Sequence, residues 1–422
     1  MENAKSFKEL NKFKVVDLKV YCKKIKVKPK RLKKDIINQI LEFKEENIID
    51  DALEPEFENI IDDALEPEFE NIIEDALDKL KKELEFYKNK VIEIEKKIKE
   101  FKKPKLKVID LFCGCGGMSK GLENAGLDII CGIDIWDKAI NSYNKNFNHL
   151  SICEDIKELS PLYFDNKYKI GKNNIDLIVG GPPCQGFSIA GKRDIKDPRN
   201  SLFMEYVKYL DYFNPKTFIM ENVMGILSMK NSSKINVIDI IMEQLNKNYN
   251  CIICKLYASD FEVPQNRRRV IIIGIRKDLN KYPTEPSNIL SKENRIPVST
   301  ILLSRDKIDE KNYLSEKAIN GIIAKKLKSK QNGNGFGAQF LKLDKPSYTI
   351  PARYWKDGYD ALVKYNDTDI RRLTVLELKR IQTFPDDFIL EGNKKDQIMQ
   401  IGNAVACRFA YHLGKHIMNI LQ

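Results

Sequence analysis

From Leu106 onward the chain alternates short, nearly continuous apolar runs with longer stretches of mixed polarity. KVIDLF, DIICGID, IDLIVGG, TFIMEN and RVIIIGI are the clearest runs. Each is short and rich in β-branched residues, which predicts strands buried on both faces. Strands alternating with helical segments predict a doubly wound α/β sheet. Between residues 277 and 370 the rhythm breaks into loop-rich sequence, including QNGNGFGAQF and KPSYTIPARYWKDGYD, and a smaller domain is expected there. Upstream of the strands, Leu77, Leu80, Leu84, Tyr87, Val91, Ile94, Ile98 and Phe101 recur at alternating spacings of three and four, a heptad seam that Pro104 ends. The seam admits two readings: a coiled-coil dimer through 77–101, or one amphipathic helix packed on the chain's own body.

Charge divides the N-terminal extension. Residues 1–40 carry thirteen basic and four acidic side chains, whereas 42–78 carry sixteen acidic and one basic. The acidic stretch is a twelve-residue repeat, ENIIDDALEPEF at 46–57 and 58–69 and ENIIEDALDKLK at 70–81, whose Pro55 and Pro67 would interrupt a continuous helix. Residues 12–41 read as two short helices joined by a basic turn. Through Val16-Asp17-Leu18-Lys19 and Lys33-Lys34-Asp35-Ile36-Ile37 they resemble the SAP module, a small helical DNA-binding motif. Pro29-Lys30 stands where that module usually has a turn glycine. The expected organisation is a basic helical module over 1–44, an acidic and heptad linker over 45–104, an α/β domain over 105–276, a smaller loop-rich domain over 277–370, and a return to the α/β domain over 371–422.

The chain has 422 residues, 42% of them hydrophobic, enough for a large core. Its formal charge of +11 suits a polyanionic partner without specifying chemistry. No apolar run reaches the roughly eighteen residues of a membrane span, and MENAKSFKEL has no apolar signal region. Nine scattered cysteines suit a reducing compartment, so a cytoplasmic, nucleoid-associated protein is expected, with no membrane partner. No metal site is expected: Cys251 and Cys254 lack a second pair, and His412 with His416 lack a further ligand.

The candidate chemistry gathers at strand ends. GGPPCQGFS, Gly180–Ser188, follows the run Ile175–Val179 and puts Cys184 on a proline-stiffened loop where α/β enzymes hold reactive groups. Thirty-seven residues later Glu221 caps the run Thr217–Met220, so a thiol and a carboxylic acid are expected on adjacent strand ends. DLFCGCGG, Asp110–Gly117, is a glycine turn between the first strand and a helix, suited to close approach of a ligand. Asp134 ends the second strand, where an acid binds ribose hydroxyls. QNRRR, Gln265–Arg269, precedes the strand Val270–Ile275.

Together these segments resemble the DNA (cytosine-5-)-methyltransferase family, from about 106 to 420, in unpermuted order. The resemblance implies a Rossmann-like S-adenosylmethionine-dependent methyltransferase sheet with a smaller target-recognition domain and a helical N-terminal extension. It implies S-adenosylmethionine held by Phe112, Gly114, Gly116 and Gly117, by Asp134, by Asp155 and Ile156 near adenine, by Pro182, and by Asn403 and Val405 of Gly402-Asn403-Ala404-Val405. Either Ile135 or Trp136 would stack on the adenine. Cys184 would add to carbon 6 of cytosine and Glu221 would bond ring nitrogen 3, with Arg267 and Arg269 orienting that acid and contacting the base oxygen. The target base would leave the duplex. Ser188, Lys192, Arg193 and Arg199 would contact DNA from a mobile loop. Thr349 and Arg353, with Tyr354, Trp355 and Lys356, would contact it from the recognition domain. Arg371-Arg372-Leu373-Thr374 with Glu377 matches the segment that organises that domain. The expected substrate is double-stranded DNA, and the expected setting is a restriction-modification system whose cognate endonuclease acts separately. An inactive DNA-binding regulator would be expected to lose Cys184, Glu221 or the glycine turn, all of which are intact. Methylation of RNA is the remaining alternative, against which the full-sized insertion before Arg371 argues.

Overall fold

The computed structural model describes residues 79, 81–94, 105–183, 201–230, 234–331, 338–356 and 358–421, without the side chains of 201, 323 and 325–331. The SAP-like module, most of the acidic repeat, Cys184, Ser188, Lys192, Arg193 and Arg199 lie outside the described residues. Pro104–Gln422 forms one compact unit, separate from residues 1–103. Within the latter, residues 81–94 are helical, and Leu84, Tyr87, Val91 and Ile94 of the seam are exposed.

A seven-stranded sheet lies at the centre of the compact unit: β1 (Lys107–Leu111), β2 (Asp128–Asp134), β3 (Leu150–Cys153), β4 (Leu177–Gly180), β5 (Thr217–Val223), β6 (Tyr249–Tyr257) and β7 (Arg268–Arg276). Their order is β3-β2-β1-β4-β5-β7-β6. β1 to β5 are parallel neighbours, whereas β7 runs antiparallel to both β5 and β6. The doubly wound expectation therefore meets one reversed strand. That reversal brings the start of β7, and its arginines, beside the end of β5.

Alternation along each strand divides the core. Ile109, Leu111, Cys131, Ile133, Phe218 and Met220 face one layer with the helices Pro161–Tyr168, Ser201–Phe213 and Val237–Leu245. Val108, Ile129, Leu177, Val179, Ile219 and Ile271 face the other, against Gly117–Ala125 and Cys407–Leu421. These two helices pack closely, because a Cβ at Gly121 would meet the Cys407 carbonyl at 2.2 Å. Burial on both faces of β1, β4 and β5 explains why their sequences read as unbroken apolar runs.

The smaller core joins both sides of residue 370. Val298, Leu341, Ile350, Tyr354, Ala361 and Val363 pack with Leu373, Leu378, Ile381, Ile398 and Ile401. A two-stranded ladder, β8 (Leu362–Lys364) with β9 (Ile370–Arg372), runs beside it. The fully buried Arg371 guanidinium grips Glu377 through two 2.8 Å hydrogen bonds. Glu377 also closes a capping box with Thr374 on the helix Val375–Ile381. One carboxylate thus fixes the strand, the helix start and, through the Leu303 amide at 3.0 Å, an earlier loop.

Candidate active site

The order of the strands reverses between β1 and β4, and a cavity of about 900 Å³ opens beyond their carboxyl ends. In the order of the sheet, its wall passes from Asp155 and Asp134 beyond β3 and β2, through Phe112 and Gly114 after β1 and Pro182 and Pro183 after β4, to Glu221 on β5 and Arg269 on β7; Asp110, Arg267 and Thr349 line it as well. Ligand pockets commonly span about 300–1,000 Å³. One continuous wall thus joins the glycine turn to the acid and arginine pair.

At the glycine end, Phe112 and Gly114 both adopt left-handed φ, at 60° and 55°. The space beside the Gly114 Cα is open, as a ligand lying on that backbone would need. Asp134 accepts hydrogen bonds from the Gly114 and Trp136 amides, both at 2.8 Å, and so ties the turn to the end of β2. Burial raises the Asp134 carboxyl above its ordinary value, and those amides partly offset it. Asp155, Ile156, Asn403 and Val405 also line the cavity, as expected. So do both Ile135 and Trp136; Ile135 is 67% exposed and offers an apolar ledge, while Trp136 is half-buried.

Gly116 and Gly117, expected to hold the cofactor, face packing contacts instead of the cavity. A Cβ at Gly116 would meet Phe147 at 2.4 Å, and one at Gly117 would meet the Val405 carbonyl at 2.2 Å. Asp110, the first residue of the same motif, does line the cavity. Burial pushes its carboxyl up to about 7, opposed in part by a 2.6 Å hydrogen bond from Ser119 Oγ. Gln400, another unexpected wall residue, accepts from Ser142 Oγ at 2.6 Å.

At the other end Glu221 and Arg269 form an ion pair of 2.5 Å between Oε1 and Nε, both side chains mostly buried. The Nε–H is not aligned on the carboxylate, so the attraction is chiefly electrostatic, while Arg269 Nη1 donates to the Arg268 carbonyl at 2.7 Å. Asn222 Nδ2 donates to the Pro182 carbonyl at 3.0 Å and thereby links β5 to the loop that leads into Cys184. Arg267 lines the cavity within electrostatic reach of Glu221, while its hydrogen bonds go to other segments. Its Nη atoms donate to the carbonyls of Ile350, at 3.3 Å, and Gly402, at 3.0 Å, clamping those two distant segments together. Burial first, and then Arg269, pull its guanidinium down to about 9.

Thr349 lines the cavity and donates to the Asn266 carbonyl at 3.1 Å. Arg353 is exposed and paired with Asp360 at 2.8 Å. Tyr354 is no surface contact: it is buried, donates to the Ala361 carbonyl and accepts from the Leu373 amide. Among the described residues no group of three His, Cys, Asp or Glu could hold a metal. His412 contacts Glu262 and His416 the Thr284 carbonyl. No helix among the described residues is long and apolar enough to cross a membrane.

The C-5 cytosine-specific DNA methylase profile matches residues 106–419. The chain belongs to that family. Among its relatives, the type II methyltransferase M.DdeI of Desulfomicrobium norvegicum is 34% identical over 377 residues, covering 74% of this chain and 88% of its own. M.HindV of Haemophilus influenzae is 35% identical over 324 residues, covering 74% and 97%. The solved Dnmt2 methyltransferase of S. pombe superposes with a TM-score of 0.60 over 75% of this chain and 99% of its own, and at 22% identity it speaks for the fold alone. This methylase transfers a methyl group to carbon 5 of cytosine in DNA, and S-adenosylmethionine is its donor. The cavity fits that donor: an open left-handed glycine turn, a carboxylate at the end of β2 and the apolar ledge of Ile135 stand along one wall.

Proposed function

We propose that this methylase is the modification enzyme of a restriction-modification system, acting on cytosine within a specific double-stranded sequence while its cognate endonuclease acts separately. The name type II methyltransferase carried by its relatives supports this setting. Phe112, Gly114, Asp134, Asp155, Ile156, Pro182, Asn403 and Val405 hold the cofactor, with Ile135 or Trp136 against its adenine. When bound, the cofactor supplies an electrophilic methyl group.

Carbon 5 of cytosine is a weak nucleophile. The target base leaves the duplex and enters the cavity, where the Cys184 thiolate adds to carbon 6 while Glu221 gives a proton to ring nitrogen 3. The resulting enamine is nucleophilic at carbon 5, the atom that would take the methyl group. Loss of the carbon 5 proton to water then expels the thiolate, and ring nitrogen 3 returns its proton to Glu221, which restores the neutral ring. Arg269 positions the Glu221 carboxyl, and Arg267 holds the surrounding segments. Ser188, Lys192, Arg193, Arg199, Thr349 and Arg353 contact the DNA. The observation that carries this reading is that Glu221 with Arg269, and Pro183 immediately before Cys184, border the cavity that also contains the glycine turn.

The test is direct. Cys184→Ala should abolish methylation and leave binding of cofactor and DNA largely intact, and duplex containing 5-fluorocytosine should become covalently attached to the native chain. Turnover by the alanine variant, or no adduct from folded protein with cofactor, overturns the mechanism. Bisulfite sequencing of DNA from expressing cells reads the target motif; absence of any methylated motif overturns the substrate.

The exposed Leu84, Tyr87, Val91 and Ile94 support a second reading, that the helix over 81–94 pairs with another copy as a coiled coil. Sedimentation should then give a dimer that Leu84→Lys with Val91→Lys converts to monomer. A monomeric native chain removes this reading.

A further inference from the structure

A strip of positive charge leaves the cavity along the recognition domain. It starts at Pro351 and Ala352, which line the cavity, and follows the short helical turn Ala352–Trp355. That turn lies tightly against the helix Lys394–Asn403, since a Cβ at Gly402 would meet the Ala352 amide nitrogen at 2.4 Å. At its outer end Trp355, 37% exposed, has two ammonium groups close to its ring: Lys395 Nζ is 4.6 Å from the centroid and Lys356 Nζ 5.8 Å. The indole face holds both cations by cation–π attraction.

Beside Lys395 the charge continues. Lys394 Nζ donates to Asn312 Oδ1 at 3.4 Å, next to Lys311 in the chain. Burial, then Lys311 and then Arg372, lower the Lys394 ammonium from its ordinary value. Arg372 has no hydrogen bond or ion pair to another described side chain, and its Nε is buried without an acceptor. Its stem passes so close to Gly358 that a Cβ there would stand 3.0 Å from Cγ and Cδ.

Of the neighbouring carboxylates, Asp309 pairs with Lys311 at 2.5 Å, Asp360 is taken by Arg353, and Asp396 turns into the cap of its own helix. Of the five cations Lys311, Lys356, Arg372, Lys394 and Lys395, only Lys311 forms an ion pair with a carboxylate among the described residues. Holding like charges together is unfavourable, and a row of fixed anions relieves it.

We propose that this strip is a binding track for the phosphates of the DNA backbone flanking the target cytosine, with Arg372, Lys394 and Lys311 gripping one phosphate and the Trp355 pair, Lys356 and Lys395, another. It rests on the DNA-methylating reading of the adjoining cavity. Phosphate contacts position a protein on the duplex and carry no sequence information, so the track adds affinity for any duplex and no choice of base. Most of its cations, Lys311, Arg372, Lys394 and Lys395, lie outside the segment read above as the contact surface. The spacing along a chain gives no sign that residues 311, 356, 372 and 395 meet.

The experiment is fluorescence anisotropy of the full chain with labelled duplexes, one containing the motif read by bisulfite sequencing and one lacking it, between 50 and 200 mM salt. The double variant Lys394→Ala with Lys395→Ala should lose about tenfold in affinity for both duplexes. Its slope of log affinity against log salt should become shallower by about 1 to 2, given about 0.9 per phosphate. Cofactor affinity and melting temperature, read on the same sample, should stay within error and so exclude misfolding. Lys255→Ala, on the edge strand β6, should leave the slope alone. An unchanged slope in the double variant, a loss confined to the motif duplex, or an equal effect of Lys255→Ala overturns the proposal. If the native chain methylates no DNA, the reading of the cavity fails instead.

Discussion

Arg269 reaches Glu221 by a diagonal step across two antiparallel strands. Arg269 stands opposite Val223, two residues along β5 from Glu221, so the two side chains project on the same face and come within 2.5 Å. Only the reversed direction of β7 allows this, because it delivers the first residues of one strand to the last residues of its neighbour.

The acid of this pair is expected to work in the transition state. Glu221→Gln keeps the shape and removes the transferable proton, and kcat should fall by about 10²–10⁴. Cofactor affinity should move little, because Glu221 stands on β5, with β4 between it and the glycine turn that follows β1. Arg269→Lys keeps a charge but loses the planar fork, and a smaller fall in kcat is expected. Single-turnover methylation with saturating DNA checks both, and a Glu221→Gln rate within threefold of native would exclude the role.

Asp110 makes stability depend on pH. The groups turned toward it are Ser119, Tyr143, Cys113, Cys131, Asp134 and Tyr206, none of them cationic. Its carboxyl is pushed up to about 7 in the fold, above the 3.8 of an exposed aspartate, so the native chain binds this proton more tightly than the unfolded one. That contribution is therefore complete below about pH 4 and is lost as pH rises through 7. The urea midpoint should decline between pH 5 and 8, and Asp110→Asn should flatten the decline. A cation in the cavity favours the ionised carboxylate. The thermal shift given by S-adenosylmethionine should accordingly exceed that given by its neutral demethylated product by more at pH 8 than at pH 6. Equal shifts at both values would separate Asp110 from the cationic end of the cofactor.

Gly402→Ala tests the clamp between the two halves of the unit. The added Cβ would lie 2.4 Å from the Ala352 nitrogen, 2.5 Å from its Cα and 2.6 Å from the Pro351 carbonyl carbon, all backbone that cannot rotate away. The helix Lys394–Asn403 and the recognition turn must separate, and the Gly402 carbonyl moves off Arg267. A loss of about 1–3 kcal/mol is expected from such overpacking, with weakened binding of DNA. Urea unfolding and anisotropy check this, and a native midpoint would show that the contact yields freely.

The legible parts of this fold are those where one local rule dominates. β1, β2, β4, β5 and β7 are buried enough to read as apolar runs; Pro182–Pro183 follows β4, whereas β5 continues two residues past Glu221, to Val223, because it pairs with β7 there. β6 escapes the same reading. It lies at the sheet edge with half-exposed Asn250 and Cys251 and exposed Lys255, so its pattern is diluted by polar positions. The glycine turn shows the limit of a motif. Gly114 borders the cavity, whereas Gly116 and Gly117 are required by Phe147 and the Val405 carbonyl, which are 31 and 288 residues away in the chain. Arg267 and Arg269 look equivalent by spacing. Which one meets Glu221 is decided by β-sheet register and by carbonyls from distant segments, neither of which the local sequence carries.

The Arg371–Glu377 pair should be the most sensitive point of the smaller core. Both side chains are fully buried, and Glu377 also accepts from the amides of Leu303 and Thr374. Glu377→Ala leaves a buried guanidinium without its carboxylate and two amides without an acceptor, a loss of about 3–5 kcal/mol. Glu377→Gln retains the shape and part of the bonding and should cost less. Because Leu373 and Leu378 pack with Ile350, the damage should spread to Thr349 at the cavity wall and weaken DNA binding. The sheet, whose two layers are built without these residues, should still bind the cofactor. Urea unfolding of both variants, read beside cofactor titration, checks the order; equal stability of Glu377→Ala and native protein would mean that this carboxylate organises nothing.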